Sequence, residues 1–556
     1  MLSLLLAASL VVAQVPDTAH VVLVATTDVH GRTTGWDYVA HRPAPGGLAR
    51  VAVIVDSLRR RYPGQVVVLD AGDLLQGDPF ATYYARVAPA TPHPVVEAMN
   101  LVGYDVATPG NHDFDFGVPL FERAVGDAAF PYVSANIFAT AGDTLVFPPF
   151  RVLQRQGVRV GIAGFTTPGT MVWNRDRLRG KLRVAPIAAS AEPTLASLRR
   201  LSDVAVVLMH SGMGGPPSYD TAGVGDEDVA ASLAALPFRP DIVVVGHSHR
   251  EIADSVVNGV HFVQPRRDAE GVSVVHVDLR RVAGRWGVAR VRGELVRTAN
   301  RAPSPLLTQR LAAAHAAVQR WVDEPIGEAS VPLGLGDARA RPTPLHDFVL
   351  ETLRRRAGAD LASGPVFDLR AGFPADTIRR GQVMALYPYD NTLRAVRITG
   401  AQLRSYLEWS TRYFRTDAVG RVSIDSTVPG YDFDLVRGAR YDIDLRQPVG
   451  ERIRNLAVRN RPVSPADSFI LALNNHRQGG AGGYTMLRGA PVVYDRHESI
   501  PDLLVDAIRA RGTLDAAPVP PSGWRIVPEV AAIAVRRIFR VAPNPVRASP
   551  RDTVLL

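Results

Sequence analysis

The stretch Asp241-Ile242-Val243-Val244-Val245-Gly246-His247-Ser248-His249 sets an unbroken β-branched run against an abrupt polar end. A short run that is apolar at every position reads as a strand buried on both faces, the kind found in layered α/β folds. Working outward, Val21 to Thr26, Gln65 to Leu69, Asp105 to Thr108, Val158 to Phe165 and Asp203 to Met209 repeat the pattern, each bounded by Gly, Pro or Asp. Between them, Gly47 to Arg61, Pro94 to Leu101 and Pro119 to Val125 carry apolar residues at helical spacing. Residues 260 to 298 read as further β structure.

What stands at the ends of these runs points to chemistry. Asp28 and His30 follow the first run, Asp73 the second, Asn111 and His112 the third, His210 the fifth, and His247 and His249 the sixth. Open α/β sheets gather their ligands at the carboxyl ends of strands, so these side chains converge on one crevice. Carboxylate, imidazole and amide oxygen together suit zinc, manganese, cobalt or iron better than calcium, with magnesium also among the candidate ions. The ligand atoms exceed one shell once water is counted, which predicts two divalent ions about 3.5–4 Å apart.

The 556 residues, 46% hydrophobic and 21% charged, predict a globular chain of at least two structural units. Lys and Arg number 63 against 54 Asp and Glu, for a net charge of +9, and Lys181 is the one lysine. The arginines are scattered, with Arg59 to Arg61 and Arg354 to Arg356 the longest runs, so no stripe for polymeric nucleic acid is expected. Small anionic substrates remain. The absence of cysteine excludes disulfides, thiolate metal sites and a cysteine nucleophile. Met1 to Val12 reads as the apolar core of a signal peptide covering residues 1–13, with Val11 and Ala13 placed for cleavage before Gln14. This predicts a periplasmic or secreted protein, and no later run is long enough to span a membrane. Leu306 to Val322 reads as one long helix, and the Pro- and Gly-rich stretch Pro325 to Arg341 follows it, marking a junction.

Asp28-Val29-His30, Gly72-Asp73, Gly110-Asn111-His112-Asp113, His210 and Gly246-His247-Ser248-His249 resemble the motifs of the calcineurin-like metallophosphoesterases. Their order and spacing are similar to those of the 5'-nucleotidase family. The resemblance implies an N-terminal four-layered αββα catalytic domain over 14–300 and a linker helix and hinge over 301–340. It also implies an α+β substrate-binding domain over 341–517, leaving 518–556 as a tail of unknown role. It further implies that Asp28, His30, Asp73 and His249 hold one metal, and that Asp73, Asn111, His210 and His247 hold the other, with Asp73 bridging. By the same likeness His112 lies outside the metal shell and stabilises charge on the phosphoryl or leaving oxygen, and Asp115 orients it. An N-cap of the following helix is the competing role for Asp115.

Within that family, Tyr387-Pro388-Tyr389-Asp390-Asn391-Thr392-Leu393, Gly430-Tyr431-Asp432-Phe433-Asp434 and Asn474-Asn475-His476-Arg477 look like the 2',3'-cyclic-nucleotide 2'-phosphodiesterase/3'-nucleotidase branch. The likeness implies a base held between aromatic rings. Tyr431, or else Phe433, supplies one ring, and His476 stands where the second is expected, with Asn474 and Arg477 beside it. The implied activity is hydrolysis of 2',3'-cyclic and 3'-nucleotides by in-line attack of a hydroxide bridging two ions. Asp115 leans toward the 5'-nucleotidase or UDP-sugar hydrolase alternative. A non-catalytic secreted binding protein is the alternative of another class.

Overall fold

The computed structural model describes residues 17–540, so the expected signal peptide and residues 541–556 lie outside the described residues. Two sheets form the centre of the N-terminal half. In the first, the strands run Arg285–Arg297, Gly271–Val282, Thr18–Thr26, Val66–Asp70, Val106–Ala107. Its last three strands are parallel, and Gly271–Val282 joins Thr18–Thr26 antiparallel. In the second, Val260–Gln264, Ile242–Val245, Val204–His210 and Val158–Thr166 are parallel neighbours, flanked by the antiparallel edges Ile252–Val257 and Phe150–Arg155.

The inner faces of the sheets share one core. Val21, Leu23, Val67 and Leu69 of the first meet Ile162, Val206, Leu208 and Val244 of the second, all fully buried. That is why these strands read as continuous apolar runs: the alternate residues face helices. Leu48–Arg61, Pro94–Val102 and Val118–Asp127 cover the outside of the first sheet, and Ile187–Leu201 covers the second. The order helix, sheet, sheet, helix is the four-layered αββα arrangement expected.

The expected long helix is two: Pro305–Arg310 and Ala312–Val322, broken by a non-helical turn at Leu311. Its apolar side, Leu307, Leu311, Val318 and Val322, is buried in the first domain's helical layer. The chain crosses over only after Val322.

The C-terminal half is α+β. A five-stranded sheet runs Asp434–Arg437, Leu361–Pro365, Ser468–Asn474, Thr392–Thr399, Val492–Ser499, and a four-stranded sheet runs Arg461–Pro462, Ile453–Val458, Ala439–Asp444, Gly523–Val527. Pro344–Arg356 and Ile500–Arg511 pack on one core, Gly400–Ser410 on another. Residues left as a tail by the sequence reading have a definite place here. Gly523–Val527 pairs in parallel with Ala439–Asp444, and helix Glu529–Arg540 buries Ala531, Ala532, Val535 and Phe539 in the second of those cores. Among the described residues no helix is long and apolar enough to cross a membrane.

Candidate metal centre and interdomain cleft

The parallel strands deliver their carboxyl ends to one edge, and the loops beyond them touch. Gly72 has φ +96°, and a Cβ there would stand 2.5 Å from the Gly110 nitrogen; one on Gly110 would stand 2.1 Å from Asp73 Oδ1. Only glycines let Asp73 and Asn111 come this close. Asp113 clamps the same crossing, accepting the backbone N–H groups of Asp73 (3.1 Å), Leu74 (2.8 Å), Leu75 (3.0 Å) and Gly110 (2.8 Å).

Asp28, His30, Asp73, His247 and His249 all have φ between 50° and 69°. Left-handed backbone is found at only a few per cent of non-glycine positions and collects at functional sites. Five of the seven expected ligands share it.

One ligand atom from each of Asp28, His30, Asp73 and His249 lies within 4.8 Å of the others. His30 Nδ1 donates to the Gln76 carbonyl at 2.9 Å, which leaves Nε2 unprotonated, 3.0 Å from His249 Nε2. On the other side of Asp73, His210 Nδ1 donates to the Ala71 carbonyl at 2.7 Å, and its Nε2 stands 3.1 Å from Asp73 Oδ2 and 3.2 Å from Asn111 Oδ1. His247 Nδ1 is 2.9 Å from the same Asn111 oxygen. Asp73 Oδ2 is buried with no hydrogen-bond partner. A buried carboxylate oxygen whose nearest imidazole, His210 Nε2 at 3.1 Å, is poorly aligned to donate costs free energy unless a cation meets it. The donor set therefore fits divalent metal.

Electrostatics agree. Burial works to raise the Asp28 carboxyl, but His249 and His210 hold it at about 2, and His210 and His112 hold Asp73 well below the carboxylate range despite its burial. Burial and the neighbouring His249 lower His30 to about 4. Two carboxylates stay charged at neutral pH and His30 stays neutral. Burial opposes the charge of His210, but Asp73 raises it to about 9, so a metal at this position would displace the proton that faces Asp73. His112 sits differently. Burial opposes its charge, but Asp115 and Asp73 raise it to about 10, and its Nδ1 lies 2.7 Å from Asp115 Oδ2. The next helix begins at Val118 with Gly117 as its cap, so Asp115 faces the histidine rather than the helix.

Glu227 was not singled out from the sequence. It is buried, its Oε1 is 3.0 Å from His247 Nε2, and with Asp228 and His247 it forms a second close group of acidic and imidazole atoms. Its place in the acidic triplet Asp226-Glu227-Asp228, between His210 and His247, was the available signal.

A cavity of about 1280 Å³ opens between the two domains, lined by Arg32, Gly77, Asp78 and Arg267 on one wall and by Phe367, Tyr389 and Tyr431 on the other. Tyr389 lies near-parallel to the His112 ring, with centroids 6.4 Å apart, and meets Phe367 edge to face at 5.1 Å. The wall is held by ion pairs: Arg86 bonds Asp390 and Ser499 at 2.9 Å each and also pairs with Asp502, and buried Arg394 reaches Asp176.

The expected base-binding residues divide. Tyr431 is 46% exposed on this wall. His476 is half-buried, and burial, Arg477 and His112 lower it to about 3, so the ring is neutral. Phe433 is corrected: it is fully buried, stacked on Tyr413 at 5.2 Å, and cannot reach a ligand. Arg477 is corrected too. Buried, it donates to Asp434 (2.9 and 3.1 Å), Asp432 (3.2 Å) and the carbonyls of Ala481 (2.6 Å) and Tyr431 (2.8 Å), leaving nothing for substrate. Asn474, also buried, caps helix Asn475–Gln478 by accepting the Arg477 N–H at 2.7 Å and donates to the Tyr387 hydroxyl at 3.1 Å. Both support the wall from behind.

Residues 21–251 match the calcineurin-like phosphoesterase model, and residues 325–489 match the 5'-nucleotidase C-terminal domain. The chain is a calcineurin-like phosphoesterase with a 5'-nucleotidase C-terminal domain. This phosphoesterase is 28% identical over 595 residues to the 2',3'-cyclic-nucleotide 2'-phosphodiesterase/3'-nucleotidase of Haemophilus influenzae, covering 94% of this chain and 90% of that one. It is 26% identical to the trifunctional nucleotide phosphoesterase protein YfkN of Bacillus subtilis over 92% of this chain, but spans 39% of that longer protein. In fold it is similar to a Staphylococcus aureus protein solved in complex with alpha-ketoglutarate, with TM-score 0.81, 24% identity, and 91% and 100% of the two chains covered. It is also similar to the 5'-nucleotidase precursor of Thermus thermophilus, with TM-score 0.67, 23% identity, and 92% and 99% covered. The phosphoesterase family implies divalent metals, and the cluster around Asp73 is where this chain has the residues for them.

Proposed function

We propose that this phosphoesterase hydrolyses nucleotides at a two-ion centre, preferring 2',3'-cyclic and 3'-nucleotides. The buried Asp73 carboxylate, grouped with Asp28, His30 and His249 on one side and 3.1 Å from His210 Nε2 on the other with no well-aligned hydrogen bond to Oδ2, carries the reading. Asp28, His30, Asp73 and His249 would hold one ion, and Asp73, Asn111, His210 and His247 the other. When bound, divalent ions supply the Lewis acidity and water activation that phosphoester hydrolysis needs. His112, charged and held by Asp115, donates to the phosphoryl or leaving oxygen as negative charge builds there. Tyr431, exposed on the opposite wall, would stack on the base, and the half-buried His476, which the family likeness puts in the second stacking place, would be the other ring.

The cyclic and 3'-nucleotide preference is supported by the named activity of the Haemophilus relative, which this chain matches over nearly its full length. A panel tests it: the full chain with manganese, cobalt, zinc or magnesium against 2',3'-cyclic AMP, 3'-AMP, 5'-AMP, UDP-glucose and bis(p-nitrophenyl) phosphate. Faster release from the first two supports the reading. Preference for 5'-AMP moves the substrate assignment to 5'-nucleotides, and no hydrolysis of any ester with any metal removes the enzyme reading. An exported location belongs to the same proposal and rests on the apolar run Met1 to Val12. N-terminal sequencing of cell-envelope material should begin near Gln14; an intact Met1 in a cytoplasmic fraction contradicts it.

A further inference from the structure

His247 is held on three sides. Its Nδ1 is 2.9 Å from Asn111 Oδ1, its Nε2 is 3.0 Å from Glu227 Oε1, and the Trp173 ring lies against it with centroids 5.3 Å apart. A carboxylate cannot donate, so the hydrogen at Nε2 belongs to the imidazole, and in the neutral ring the lone pair is at Nδ1. That nitrogen faces Asn111 Oδ1, also an acceptor. Two acceptors 2.9 Å apart with nothing between them repel, so either a second proton on the ring or a metal cation must meet both lone pairs, and a metal takes the place of that proton. The arrangement pairs carboxylate, imidazole and metal position in line, the pattern by which outer carboxylates orient metal-binding histidines.

Glu227 has a second contact that reaches the other domain. Its Oε2 accepts the Ser218 N–H, and the Ser218 carbonyl accepts the N–H of Gly483, at 3.1 Å, from the glycine run of the C-terminal half. Its backbone carbonyl takes the hydroxyls of Ser211 at 2.7 Å and Thr167 at 3.2 Å, next to the strand end that bears His210. One buried carboxylate thus ties together the loop carrying Ser218, the ring of His247 and the docked glycine run.

We infer that Glu227 is a positioning residue that selects Nδ1 of His247 for the second metal position and links that position to the Ser218–Gly483 contact between domains. It touches neither substrate nor the reacting atoms. The inference rests on the two-ion reading above, and its test separates the two. Titrate the parent, Glu227→Ala and Glu227→Gln with zinc by calorimetry, and count bound metal by elemental analysis after dialysis. The expected result is two ions in the parent, and in Glu227→Ala one ion held as in the parent with the other weakened roughly 10–100-fold. Glu227→Gln keeps a neutral acceptor for Nε2 and should fall between. Amide exchange across residues 479–484 should rise in Glu227→Ala, because the Ser218 partner is loosened. Should Glu227→Ala fail to fold, as judged by far-ultraviolet circular dichroism, Glu227→Gln carries the test. Two ions bound with parental affinity in a folded variant overturn the inference and leave the two-ion reading intact, whereas fewer than two ions in the parent overturn that reading itself.

Discussion

His112 Nδ1 lies 2.7 Å from Asp115 Oδ2, while the His112 backbone N–H donates to Asp73 Oδ1 at 2.8 Å. The first contact makes the ring a charged donor, and the second fixes it beside the metal cluster without making it a ligand. A single 3₁₀ turn, His112–Phe114, places both.

From this geometry His112→Ala should keep its full metal content and lose rate by roughly 10²–10⁴, the range for a positioned acid or charge donor. Asp115→Asn should lose less, because the ring stays in place without its counter-charge. Turnover measured alongside elemental analysis checks both. Loss of an ion in His112→Ala would put the residue inside the metal shell and refute the assignment.

Tyr431 is the exposed aromatic of the C-terminal wall, and stacking contributes about 1–3 kcal/mol per base. Tyr431→Ala and His476→Ala should raise KM for nucleotides by roughly tenfold or more, and His476→Tyr should lower it. Hydrolysis of p-nitrophenyl esters, which present no base, should barely change. Equal losses on both substrate types would mean these side chains support the fold instead.

Much of this was legible in the sequence because two signals coincide. Strands buried on both faces must be apolar throughout, and their ends must be polar to reach the crevice, so Asp28, Asp73, Asn111, His210 and His247 stand out at the boundaries. The wall of the cleft was harder. Tyr431 and Phe433 are two residues apart and equally aromatic; the turn Gly430–Asp432 sends one to the cleft and the other against Tyr413. Arg477 has the residue type of a substrate contact, but Asp432, Asp434 and the carbonyls of Ala481 and Tyr431 take its donors, and no local pattern ties those two carboxylates to it. Glu227 acts through a histidine twenty residues on, which local pattern does not reveal, and Gly523–Val527 finds its partner strand some eighty residues upstream.

That distant pairing has its own consequence. Ending the chain at residue 517 removes Trp524, Ile526, Val535 and Phe539 from a core in which all are buried. At about 1.5–3 kcal/mol each, the loss is roughly 6 kcal/mol or more, comparable to the stability of a whole domain. The shortened chain should aggregate or show an early unfolding transition in calorimetry. A melt matching the parent would show that this strand and helix are dispensable.

Acid stability should depend on Glu351. Burial opposes its charge, but hydrogen bonds from Arg354, Arg437 and Arg355 hold its carboxyl well below the usual range. A depressed acid adds stability above its unfolded pKa of about 4.3, and that stability drains away as pH falls toward the folded value. Glu351→Gln should therefore cost about 1–3 kcal/mol near pH 7, because Arg437 is buried while Arg354 and Arg355 reach solvent and can rehydrate. The Tm gap from the parent should narrow steadily below about pH 4.3. A gap that stays constant with pH would remove the electrostatic explanation.

The most direct test of the account is the number of divalent ions the chain holds. Elemental analysis of the full chain, loaded at saturating metal and dialysed, should find two per chain, and Asp73→Asn should lose metal and all turnover together, since Asp73 faces both groups of ligands. One ion or none in the parent would contradict it.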